Sequence, residues 1–226
     1  MSLLAPMQLV AQQRYEPRDI PMLPAYCKHT QDFRERVPGG NNPAEIERLT
    51  ALMGSVFIHM HHYCYGLVAF NRATFLSRTQ QERLLNLNNS IYEFDYVIQR
   101  APPDFVLLPE ILTKKGESLI RLGRGPDGAL ELQRAIALKP DYWPPYAAMS
   151  DYNKEIGDLK AAREWLEKGL STSPNTKALL QRRAELDGPK GKHKSAPRQP
   201  EKSNAPQPTA ETSTAQPVDS QLPTEQ

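Results

Sequence analysis

Apolar residues recur three or four positions apart along most of this chain, and that spacing predicts helices. The first long stretch carries Ile46, Leu49, Leu52, Met53, Val56, Phe57, Met60, Tyr63, Cys64, Leu67 and Phe70. It predicts a helix from residue 44 to about residue 77, with a kink at Gly54 or Gly66. Asn42-Pro43 before it is a helix start, with Asn as cap and Pro in the first turn. A second helix is predicted from about Gln80 to Arg100, burying Leu84, Leu87, Ile91, Phe94, Val97 and Ile98, and Ala101-Pro102-Pro103 ends it. Residues 12–43 hold five prolines and a Gly39-Gly40-Asn41-Asn42 run, which reads as an extended lead-in with a helical turn near Cys27 to Arg36.

Beyond Pro103 the pattern repeats. Gly123, Leu132, Ala135, Ile136 and Pro140 are answered by Gly157, Leu166, Gly169, Leu170 and Pro174, each pair 34 positions apart. A fixed period of this length marks stacked supersecondary units that cannot bury their apolar faces alone. Each unit, 109–142 and 143–176, is predicted to be two helices joined at a glycine turn. In the second unit the first helix would bury Tyr146, Met149, Tyr152 and Ile156, and the return helix Leu159, Ala162, Leu166 and Leu170. Gly116, Gly128, Ala135, Ala162 and Gly169 are small enough for close helix approach. Residues 176–186 predict one further helix, a terminal cap.

These two units resemble tetratricopeptide repeats. The resemblance rests on Leu112, Gly116, Leu119, Leu132, Ala135 and Pro140 in the first copy, and on Tyr146, Ala162, Leu166 and Pro174 in the second. Lys115, Gly128, Ser150, Asn153 and Gly169 depart from the family pattern. The resemblance implies an all-α array of helical hairpins, an α-solenoid. The pair over 44–103 is then either a divergent, elongated first repeat or an unrelated hairpin.

The resemblance also implies a concave partner-binding face, lined by outward positions of each first helix. In the first copy these are Glu110, Thr113, Lys114, Glu117, Ile120 and Arg121; in the second, Ala147, Ala148, Asp151, Lys154 and Glu155. Family members that grip a C-terminal carboxylate use Lys, Asn and Arg at such positions. Glu117 and Asp151 stand where the asparagines would be, which argues against that mode.

Composition narrows the function classes. A net charge of +2 over 226 residues gives no reason to expect specific nucleic-acid binding. No apolar run reaches the roughly 18 residues of a transmembrane helix. There is no G-x-S-x-G, P-loop or C-x-x-C-H motif, so the reading is non-catalytic and without cofactor. His59, His61, His62 and Cys64 are metal-ligand types, and a metal- or haem-handling protein is the alternative function. Their spacing matches no known ligand motif, and packing around the first long helix accounts for them equally.

Cys27 and Cys64 fit one disulfide in an oxidising compartment or two buried thiols in the cytoplasm. Residues 1–11 are short, mildly apolar and without a basic start, which fits the end of a secretory signal as well as a frayed terminus. Together these favour a periplasmic or otherwise exported protein over a cytoplasmic one. Residues 188–226 hold seven prolines and no aromatic residue, a composition that predicts a disordered tail. Its Lys190, Lys192, Lys194, Arg198 and Lys202 read as a solvated basic run or an electrostatic tether. The sequence leaves the oligomeric state open. The function that emerges is a scaffold or adaptor holding a protein or peptide segment, in the setting of a cell-envelope assembly.

Overall fold

The computed structural model describes residues 15–188, and among them every regular element is helical. The predicted signal remnant at 1–11 and almost all of the predicted disordered tail lie outside the described residues. Eight α-helices follow in order: α1 Pro43–Met53, α2 Met60–Asn71, α3 Gln80–Ile98, α4 Leu108–Arg121, α5 Gly125–Leu138, α6 Pro144–Glu155, α7 Leu159–Thr172 and α8 Lys177–Asp187. Sequential helices pack in adjacent pairs, α2 with α3, α4 with α5, and α6 with α7.

Helix starts follow from short polar side chains that take up otherwise orphaned backbone N–H groups. Asn42 accepts from the Glu45 amide at 3.3 Å, Thr79 from Glu82 at 3.1 Å and Asp158 from Ala161 at 2.9 Å. The two tight turns inside the repeated hairpins are closed by Gly123 and Gly157, each at φ 87°. That left-handed conformation is strained for any residue with a Cβ. The return helices keep the period: α5 begins at 125 and α7 at 159, and they end at 138 and 172.

Within the first hairpin the packing is close. A Cβ on Gly116 would lie 2.9 Å from the Gly128 carbonyl oxygen, so α4 and α5 cross with backbone nearly against backbone. Ala135, Ala162 and Gly169 are buried in the corresponding seams. The main core joins Met53, Met60, Tyr63, Phe94, Ile111 and Leu112, and a second cluster packs Tyr146, Leu166, Leu170 and Leu179. Lys115, a departure from the family pattern, ties three helices together. Its ammonium meets Asp95 of α3 at 2.7 Å and Glu131 of α5 at 2.8 Å. Burial works against that charge, but the two carboxylates raise the Lys115 pKa above the usual lysine value.

Three expectations are corrected. The expected kink in the first long helix falls at Gly54, one of the two positions named, but it is a full break and not a bend within one helix. The φ of 61° at Gly54 stops α1; a 3₁₀ segment, Gly54–His59, follows before α2 starts. Gly66 does not kink α2; it makes room for the Phe94 ring, which a Cβ there would meet at 2.4 Å. The lead-in is not extended either. Its described part coils into two 3₁₀ helices, Pro17–Met22 and Ala25–His29, docked on α2. Asp19, fully buried, takes two bonds from the Arg72 guanidinium at 2.6 and 3.2 Å, and Tyr15, Phe33 and Tyr65 pack their rings together. Third, Ile156 and Leu159, on either side of the Gly157 turn, are 60% and 45% exposed instead of buried, and Asn153 takes the inward place, donating to the Met149 carbonyl.

Candidate functional site

The side-by-side packing of α4 and α6 leaves a groove of about 550 Å³. Ten of the eleven residues expected on the concave face line it: Glu110, Thr113, Lys114, Glu117, Ile120 and Arg121 from α4, and Ala147, Ala148, Asp151 and Glu155 from α6. The eleventh, Lys154, is not among the lining residues, and its ammonium stands 3.8 Å from Glu185 of α8. Lys154 is therefore not a groove residue. Its neighbour Glu155 is, because 100° per residue separates adjacent side chains on a helix.

The charges in the groove are mostly committed. Lys114 bonds Glu117 at 3.1 Å and lies 4.8 Å from the centre of the Phe70 ring. Arg182 of α8 bonds both oxygens of Asp151, at 2.9 to 3.0 Å. Arg121 donates to Thr74 at 3.1 Å and also faces Phe70. Thr113 is buried and turns its hydroxyl back to the Pro109 carbonyl, so it is wall, not a contact. Four cations (Arg83, Lys114, Arg121, Arg182) and four anions (Glu110, Glu117, Asp151, Glu155) line the groove, so it has no net sign to attract one class of ion.

Glu110 sits at one end of the groove in the first turn of α4, where the helix dipole favours a carboxylate. The Tyr63 hydroxyl donates to it at 2.6 Å. Burial raises the Tyr26, Tyr63 and Tyr142 phenols above their usual value, and the Glu110 charge raises each of them further. Tyr142 and Trp143 form the rim beside it.

The groove residues that sequence reasoning missed are Arg83, Tyr142, Trp143, Pro144, Tyr152 and Arg182. Tyr142 and Trp143 belong to the link before α6, outside any helical face count. Arg83 and Arg182 come from α3 and α8, the helices on either side of the repeated units. Only the repeat geometry, extended to the flanking helices, could have shown them.

A larger hollow of about 730 Å³ lies where the lead-in meets α3 and the wide turn Arg72–Leu76. Arg18 and Arg72 there are paired with Glu16 and Asp19. The groove is the better candidate because it collects side chains from the repeated units.

The histidine cluster folds into packing and hydrogen bonding. Cys27 and Cys64 form a disulfide with Cα atoms 5.8 Å apart, which removes Cys64 from any ligand set. His62 shares a hydrogen bond with Glu93 at 2.5 Å and stacks on Tyr96, while His59 meets the same ring edge-on. His61 holds the Ile58 carbonyl through Nδ1. Burial first, then the neighbouring His62, lowers the His61 pKa; burial and Arg100 lower that of His59. Among the described residues no three His, Cys, Asp or Glu side chains are placed to hold a metal ion.

None of the described helices is long and apolar enough to cross a membrane. No family model, no curated protein and no solved structure matches this chain.

Proposed function

We propose that the chain is a non-catalytic adaptor of the tetratricopeptide-like kind, holding an extended or helical segment of another protein in the α4–α6 groove. One observation carries the reading: ten of the residues that the repeat resemblance implies for the concave face line a single groove of about 550 Å³. A groove of that volume suits side chains of a bound segment. Its paired charges and its aromatic rim of Tyr142, Trp143 and Tyr152 supply polar specificity with rigid apolar area, the combination found at protein-binding surfaces. The Cys27–Cys64 disulfide supports placing the adaptor in an oxidising compartment, the periplasm or another cell-envelope setting.

The test is selection of short random peptides on the full chain. The groove reading expects a family of related sequences to be enriched on the native protein. It expects Lys114→Glu, which sets a like charge against Glu117, to abolish that enrichment while the thermal unfolding midpoint stays within a few degrees. Enrichment untouched by Lys114→Glu would place binding elsewhere.

A further inference from the structure

Resting on the groove reading, we infer that the Glu110 end receives a basic side chain, lysine or arginine, of the bound segment. The charge census leads there. Glu117 and Asp151 are each neutralised by a cation of the groove wall, at 3.1 and 2.9 Å. Two groove carboxylates, Glu155 and Glu110, have no ion-pair partner among the described residues; Glu155 is exposed to water, whereas Glu110 is half-buried and its hydrogen bond comes from a neutral phenol, Tyr63. A half-buried carboxylate in this setting gains most from a cation brought by the ligand.

The surroundings suit a cation and disfavour an anion. Tyr142 and Trp143 line the same groove, and the Glu110 charge reaches the Tyr142 phenol; aromatic rings are favourable neighbours for a guanidinium or ammonium. A hard metal ion is the poorer fit, since among the described residues Glu110 belongs to no group of three side chains placed to hold one. Two wall cations, Lys114 and Arg121, are held against the Phe70 ring.

The same random-peptide selection decides the matter, now read position by position. Wild-type protein is expected to enrich sequences with lysine or arginine at one fixed position. With Glu110→Gln that preference returns to the frequency of the unselected library, and a selected peptide binds roughly tenfold or more weakly. Glu110→Asp, which keeps the charge, restores it, and Glu110→Lys shifts the preference at that position to Asp or Glu. Lys160→Ala, on the exposed side of α7, leaves selection unchanged. Enriched sequences without a fixed basic position, or a basic preference that survives Glu110→Gln, overturn this inference and leave the groove reading standing. Failure to enrich any sequence overturns both.

Discussion

Gly116 and Gly128 face each other so closely that a Cβ on Gly128 would lie 2.6 Å from the Gly116 carbonyl oxygen. Two effects of opposite sign meet at Gly128. Alanine in a helix interior is favoured over glycine by about 1 kcal/mol through chain entropy. Here the obstacle is backbone, with Ile120 also at 2.6 Å, and backbone cannot swing aside. Overpacking wins, and Gly128→Ala is expected to destabilise the fold by about 1–3 kcal/mol in denaturant unfolding. Ala162→Leu, at the 34-residue equivalent of the same position and fully buried, is expected to do the same.

Lys115 is expected to be a stability residue. Lys115→Met keeps its volume but leaves Glu131, only 10% exposed, with Arg134 alone, and Asp95 without its cation. The loss should be about 1–3 kcal/mol, reduced from the value for a fully buried pair because Asp95 is partly solvated. Replacing Asp95 by Asn in the Lys115→Met background should cost little more, since the two changes break one interaction.

Much of this architecture was legible in the sequence, for a physical reason. Helical hairpins with a glycine turn and a fixed period write their seams as small and apolar residues at constant offsets, so α5 and α7 could be placed from Leu132 and Leu166 alone. The lead-in could not. Its 3₁₀ turns have no apolar period, and its order comes from long-range partners, Asp19 with Arg72 and Asp32 with Tyr65. Ile156 misled because it keeps helical spacing at the very end of α6, where the chain turns away from the core. Half of the groove was legible, through outward helix positions; Tyr142, Trp143 and Arg182 reach it only through the packing of a loop and of α8.

Acid should weaken the fold through His59 and His61. Their folded pKa values lie below the ordinary 6.5, so the unfolded chain binds more protons in the window just beneath it. Stability therefore falls as pH drops through that window. The thermal midpoint should decrease from about pH 7.5 to about pH 5.5, and His61→Gln should flatten the decrease. A midpoint with the same slope in His61→Gln would show that other groups set it.

Base should weaken it through the phenols near Glu110. Tyr26, Tyr63 and Tyr142 all have raised pKa values, so the folded chain retains protons that the unfolded chain loses above about pH 10. Tyrosine ionisation followed by ultraviolet absorbance should show these groups ionising together with unfolding. Smooth titration of every tyrosine in the folded protein would contradict the burial of Tyr63.

The Cys27–Cys64 disulfide closes a loop of 37 positions. Substituting both cysteines by serine should destabilise the protein by about 3–4 kcal/mol in the chain-entropy model. The buried Asp19–Arg72 pair still anchors the lead-in, so circular dichroism of the double variant should retain its helix content at low temperature.

The 34-residue offset runs one step past the second hairpin. Leu112, Tyr146 and Leu180 are successive equivalents. The first two are buried at 0% and 4%, and the third is 36% exposed. The difference is a missing neighbour: α8 fills the slot of a first helix, and among the described residues no second helix comes back over Leu180. The described fold thus stops on a half step. Duplicating a whole unit such as 125–158 would repeat existing seams and leave this unfinished edge in place, whereas an insertion of any other length would put each later side chain out of phase with its partner.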